Sequence, residues 1–221
     1  LYGLRPTVGM VPAYNPSQVA ERMIVSQMSA VQGPLARTME DIRLAMLALA
    51  APDPRDIWQI PVNGEYRAPD HAPCRVAIHA ESADCPVDPE ISAAVRLAGE
   101  MLADAGYDVE EVTPPSLWEA MEFWLLLLGN EMRAGLGLLM EEHGDWRMKH
   151  SYRVLTDGIP EIGDRDGFLK AYARRSTLLR KWQMFFEDYP LLVTPVTWVK
   201  PMPAEHDVFE GLVFDWFRRA T

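Results

Sequence analysis

The chain has 221 residues, 48% apolar and 24% charged, enough for one large domain or two small ones with a proper core. Its 32 acidic residues outnumber 21 basic ones, a formal charge of −11, and a phosphate backbone is therefore a poor partner; nucleic-acid binding is not expected. Two cysteines cannot build a disulfide framework, and the longest apolar run, Phe123 to Leu128, falls far short of the roughly 20 residues a membrane span needs.

The opening loop leads to the Gly33-Pro34 turn. Thr38 then starts a capping box, with Asp41 in place of the usual Glu. Ile42, Ala45, Met46 and Leu49 share one face of the helix that follows, which ends before Pro52. Asp53 to Pro73 is rich in Pro, Asp and Gly and reads as a long surface loop. A β-α-β unit comes next, over 74–112. Arg75 to His79 is a short strand, Asp88 an N-cap with Pro89 at the first helical position, and Gly106 a C-terminal stop. Ile91, Val95, Ala98 and Leu102 recur at helical spacing, and Tyr107 to Val112 forms the second strand. Such a unit pairs its strands in parallel with a right-handed crossover.

The stretch 116–188 is helical. Ser116 to Glu119 is a capping box, and apolar residues run from Leu117 to Met140, weakened by Gly129, Gly135 and Gly137. Further helices are expected from Asp145 to Leu155 and from Asp164 or Asp166 to Asp188. Leu191 to Thr194 reads as a buried strand closed by Pro195, within a last segment, 189–221, of strand and following loop. No internal repeat is found. The fold class is α/β, a mixed sheet flanked by helices, with a β-α-β unit and a helical insert.

No catalytic constellation emerges from the residues themselves. None of the serines sits in a Gly-x-Ser-x-Gly elbow or has a lysine three residues on; Ser26 and Ser29 read as loop residues. His143 and His150 are not in a His-Glu-x-x-His helix, and Cys74 and Cys85 lack metal-ligand partners. His71, His79 and His206 are isolated, and Glu110-Glu111 and Glu141-Glu142 look like solvated faces. No Gly-x-Gly-x-x-Gly follows a strand and no phosphate loop is present, so no nucleotide cofactor is indicated.

Two segments point further. Gly3-Leu4-Arg5-Pro6-Thr7-Val8-Gly9 resembles the stretch that follows the nucleophile loop in amidase-signature enzymes. Gln32-Gly33-Pro34-Leu35-Ala36-Arg37-Thr38-Met39-Glu40-Asp41 is similar to the Gly-Pro-(Met/Leu)-Ala-Arg-Thr-x-x-Asp segment of the same family. Asp53-Pro54-Arg55-Asp56, Val87 to Glu90, Val109 to Val112 and Tyr189 to Pro195 also fit, so the resemblance covers nearly the whole chain. It implies a serine nucleophile, a cis serine that relays a proton and a lysine as ultimate base, acting through an acyl-enzyme held by backbone N–H groups, with no cofactor or metal.

In the family all three triad members precede the Gly-Leu-x-Pro-Thr segment, and this chain begins there. None of them can be placed here, and Lys149, Lys170, Lys181 and Lys200 lie in the wrong context. The expectation is thus an internal fragment, residues 1–56 being the segment after the nucleophile loop and 116–188 a substrate-pocket insert. Gly3 and Gly9 would permit tight turns, Gly33-Pro34 would set the entry into the helix, Arg37 would pair with Asp41 or reach the next turn, and Thr38 would cap. Trp124, Trp146 and Thr194 are the candidate substrate contacts, in an apolar or aromatic acyl pocket; core packing is the competing reading for most aromatic and Met positions. The expected function is hydrolysis of a small carboxylic amide by a cytoplasmic enzyme. The alternatives are a non-catalytic interaction module and an amidotransferase A-type subunit. Partners would be a small-molecule amide and, on exposed strand edges, a second copy, but neither nucleic acid nor membrane.

Overall fold

The structure is a computed structural model that describes residues 1–17, 21–60, 74–83, 85–115, 117–201 and 203, and it divides into two units, Leu1–Asp70 and His71–Thr221. The expected Ser116 cap, residues 61–73 of the long loop and the segment from 204 onward lie outside the described residues.

In the first unit the two family-like segments form one ladder. Strand β1 (Tyr2–Gly3) pairs antiparallel with β2 (Leu35–Ala36), Tyr2 opposite Ala36 and Gly3 opposite Leu35. Leu4 N–H extends the ladder to the Pro34 carbonyl at 3.0 Å. This approach explains Gly33: a Cβ there would lie 1.9 Å from the Leu4 carbonyl oxygen. Gly9 sits at φ +86°, where an L side chain is strained, and its Cβ would lie 2.5 Å from the Trp58 carbonyl. Helix α1 (Ile24–Ser29) includes Ser26 and Ser29, which are therefore helical rather than loop residues. Ser29 Oγ donates back to the Val25 carbonyl at 2.6 Å.

Helix α2 (Met39–Leu49) starts as expected, with Asp41 N–H donating to Thr38 Oγ1 at 3.0 Å. Ile42 and Met46 bury the inner stripe, while Leu49 stays exposed. The expected Arg37–Asp41 pair is absent among the described residues; Arg43, inside the helix, pairs with Glu40 at 2.6 Å instead. Arg37 precedes the N-cap, so its side chain is not on the helical i,i+4 lattice that the spacing assumed.

The second unit begins with the β-α-β unit. Strand β3 (Arg75–Ile78) lies between β4 (Asp108–Glu111) and β5 (Leu191–Val193), both parallel to it, giving the order β4-β3-β5. The sheet is wholly parallel among the described residues; the antiparallel part of the expected mixed sheet is the separate ladder of the first unit. As the central strand, β3 is buried on both faces, and Val76 and Ala77 are fully enclosed. Strand β5 is less buried than expected because it forms one edge of this sheet: Leu191 is 45% exposed.

Helix α3 (Pro89–Asp104) crosses between β3 and β4. Asp88 caps it through Glu90 N–H at 2.9 Å, and Gly106 ends it at φ +93°. Val95 joins Ile78 and Ala80 in the core, with Val109 and Val193 packed against them. At the other end of the sheet Arg75 fastens all three strands. It donates to Glu110 at 2.8 Å and to the Tyr189 hydroxyl at 2.9 Å, with its guanidinium 4.3 Å from the Tyr189 ring centre. Glu110 and Glu111 are thus exposed but paired, Glu111 with Arg96 at 3.1 Å.

The helical insert comprises α4 (Leu117–Ala134), α5 (Leu136–His143), α6 (Trp146–Asp157) and α7 (Arg165–Asp188). Gly135 divides the long apolar run in two. Asp145 and Asp164 cap α6 and α7 by accepting the N–H groups of Met148 and Gly167 at 2.8 and 2.6 Å. Met121, Leu125 and Ile159 form a second core cluster, which Trp118 and Leu126 flank. No helix among the described residues is long and apolar enough to cross a membrane.

Candidate functional site

In an open parallel sheet, ligands bind beyond the carboxyl ends of the strands, where the strand order changes direction. Here that place lies between β3 and β5, since the chain leaves β3 for β4 on one side and returns to β5 on the other. His79 follows β3 and Thr194 follows β5. The register sets them next to each other, and His79 N–H donates to the Val193 carbonyl at 2.9 Å.

His79 is buried, 5% exposed, with the edge of Trp198 against it at 5.8 Å between ring centres. Burial lowers its pKa from the usual histidine value, opposed by a hydrogen bond with the Val112 backbone and by the charge of Glu111. The imidazole is therefore held towards its neutral form. The loop carrying Trp198 is tied to the start of α3: Asp88 N–H donates to the Trp198 carbonyl at 2.9 Å, and Lys200 bonds Glu90 at 2.7 Å. Beside this loop a cleft of about 560 Å³ runs along α3, lined by Ile91, Val95, Val193, Thr194 and Thr197. Thr194 Oγ1 is buried there without a hydrogen-bond partner. An unpartnered hydroxyl above an apolar floor can hold one polar group of a small molecule. It has no base bonded to it, so it is not an activated nucleophile.

A second cleft, about 420 Å³, lies in the helical insert. Phe123, Leu126, Ile159 and Pro160 line it, with Glu119, Glu122 and Arg174 also in the lining. Its 156–162 wall is pinned to α4. Asn130 donates to the Pro160 carbonyl at 2.9 Å and accepts from Ile162 N–H at 2.8 Å. Arg133 donates to the carbonyls of Thr156 and Ile159, the latter at 2.7 Å. Glu119 is bridged to Arg174 and Lys181, at 2.6 and 3.1 Å.

The three expected substrate contacts fall on separate elements. Thr194 lines the sheet cleft. Trp124 lies in the middle of α4 and is 37% exposed; Trp146 opens α6, is 66% exposed and has the Arg147 guanidinium 5.4 Å from its ring centre. Neither tryptophan lines the sheet cleft or the insert cleft, whose aromatic member is Phe123. Sequence reasoning does not mark His79 or Trp198, although a histidine directly after a strand that starts a β-α-β unit is a readable signal. No group of three or more His, Cys, Asp or Glu side chains that could hold a metal is found among the described residues.

The sequence model of the family described as Amidase matches residues 1–211. The chain belongs to the amidase family. It is 36% identical over 211 residues to the indoleacetamide hydrolase of Bradyrhizobium japonicum, covering 92% of this chain and 43% of that protein. It is 26% identical over 225 residues to the A-type subunit of the glutamyl-tRNA(Gln) amidotransferase of Roseiflexus sp., covering 88% of this chain and 44% of that one. Among solved structures, a bacterial aryl acylamidase of the amidase signature family superposes with a TM-score of 0.64 at 19% identity, over 92% of this chain and 43% of that chain. A 6-aminohexanoate cyclic dimer hydrolase superposes at 0.67 and 17%, over 98% and 50%. These two share the amidase fold. The chain spans less than half the length of these curated relatives.

Proposed function

We propose that the whole protein to which these residues belong hydrolyses the amide of a small aromatic carboxylic acid through an acyl-serine intermediate. The observation that carries this reading is the 36% identity to indoleacetamide hydrolase across 92% of this amidase chain. The triad that the family resemblance implies has no counterpart placed among these 221 residues, which alone are then inactive. The motif segments of the first unit serve as scaffold. The helical insert supplies apolar wall, with Phe123 and Ile159 the residues best placed to face an aryl group. A cytoplasmic location and self-association through the β5 edge belong to the same reading.

Ammonia release by the whole protein tests it, with indole-3-acetamide and phenylacetamide set against acetamide. Aromatic amides should exceed acetamide in kcat/KM by at least about tenfold, since a filled apolar pocket discriminates on that scale. Equal rates for all three would remove the aromatic pocket, and no ammonia from any amide would remove the hydrolase reading. A fluorophosphonate probe should label the whole protein and leave the 221-residue chain unlabelled.

The second reading is an amidotransferase A-type subunit, favoured by the 26% identity to such a protein. Its mark would be co-purification with a B-type partner and transfer of ammonia rather than its release. A non-catalytic interaction module is the remaining reading, and labelling of the whole protein by the probe excludes it.

A further inference from the structure

The first unit carries a cleft of about 560 Å³ lined by residues 13–16, Glu21, Arg22 and Gln27, and residues 55–58. Several of its polar groups are committed to one another. Asp56 accepts the N–H groups of Ala13, Tyr14 and Trp58, the last two at 3.1 and 2.8 Å. Gln27 accepts from the Trp58 indole at 2.9 Å and donates to the Arg22 carbonyl at 2.5 Å. Arg55 is held by both oxygens of Asp53, at 2.8 and 2.7 Å, which keeps that carboxyl down at a pKa of about 2.

Of the two guanidinium groups in the lining, Arg22 is the one without a carboxylate. Its guanidinium donates to the Ala13 carbonyl at 3.3 Å, and no carboxylate meets it among the described residues. A guanidinium has five N–H donors in a planar fork that fits a carboxylate. The same lining holds two partly exposed aromatic residues, Tyr14 at 44% and Trp58 at 39%. The Arg55 guanidinium lies 4.8 Å from the Tyr14 ring centre, which steadies that wall.

We infer that this cleft binds an aromatic monocarboxylate, its carboxylate on Arg22 and its ring against Tyr14 and Trp58. A monoanion fits better than a phosphate dianion, because one cation is open and the Glu21 carboxylate shares the lining. The inference stands on this lining alone and does not need the amidase reading. Binding would persist in a protein that hydrolysed no amide.

Calorimetry on the whole protein at low salt tests it with phenylacetate, cyclohexylacetate and 2-phenylethanol. Phenylacetate should bind, and the other two at least about tenfold more weakly, since one has a saturated ring without a π face and the other lacks the charge. Arg22→Gln should weaken phenylacetate by at least about tenfold while leaving any amide turnover unchanged. Glu21→Gln should tighten it, an outcome that misfolding cannot imitate. Unchanged affinity in Arg22→Gln, no gain in Glu21→Gln, or equal binding of cyclohexylacetate would each overturn the assignment.

Discussion

Gly33→Ala is the sharpest test of how the first unit is built. The new Cβ would lie 1.9 Å from the Leu4 carbonyl oxygen and 2.8 Å from Pro6 Cδ. The first of these neighbours is backbone, so no rotamer change relieves it. Either the 32–34 turn shifts or β1 and β2 separate. Accommodating such overpacking costs about 1–3 kcal/mol. Parting the ladder also gives up the Leu4–Pro34 hydrogen bond and its neighbours, each worth about 0.5–1.5 kcal/mol net. The expected loss is about 2–4 kcal/mol for this unit. Gly163→Ala is the control, because a Cβ there meets nothing within 4 Å. That substitution should be neutral, or stabilise by about 0.4–1 kcal/mol through a stiffer unfolded chain. Urea midpoints of the two variants compare them, and amide exchange at Leu4 reports the ladder itself. Equal midpoints together with an unchanged Leu4 exchange rate would refute the close-approach argument.

Three further substitutions probe the second unit. Stability should fall as pH drops below the unfolded histidine value of about 6.5, because burial lowers the folded pKa of His79 and the unfolded chain then binds more protons. The loss is complete below the folded pKa, and His79→Gln should remove this part of the slope when denaturant midpoints are measured from pH 7.5 to 5. Thr194→Val removes a buried hydroxyl without a partner and should leave stability unchanged or raise it by about 1–2 kcal/mol; a clear loss on thermal melting would show that Oγ1 is bonded. Asn130→Ala should leave Ile162 N–H without its side-chain acceptor and cost about 1–3 kcal/mol, with the Ile162 amide exchanging much faster.

The parts of the fold that are legible in the sequence rest on local chemistry. Thr38 and Asp88 cap the helices expected of them, and Asp145 and Asp164 cap helices whose expected starts lie at or near them, because a cap needs only its own oxygen and an N–H two or three residues on. Gly106 ends α3 for the same local reason. What is not legible depends on distant partners. Strands β1 and β2 have two residues each, too few for any period, and exist because the chain returns. The exposure of Leu191 follows from its strand lying at a sheet edge, and nothing within Leu191–Val193 reports that position. Arg133 has the sequence setting of a solvated helix residue, whereas it anchors the carbonyls that follow α6.

The site divides along the same line. Thr194 stands out from its own neighbourhood, but the residue beside it, His79, looks isolated in sequence because the pairing of β3 with β5 is a property of the sheet and not of either segment. The tryptophans stand out for their size, and size alone does not say which face of a helix meets a cleft. Phe123, beside Trp124 on α4, lines the insert cleft because the loop pinned by Asn130 and Arg133 lies over its side of the helix. Aromatic density in a helical insert therefore signals a wall, while the pinned loop selects which rings face the cleft. By this reasoning, exchanging Phe123 for Leu in the whole protein should shift kcat/KM between aromatic amides by more than the same exchange at Trp124. Equal shifts at both positions would place the acyl pocket elsewhere.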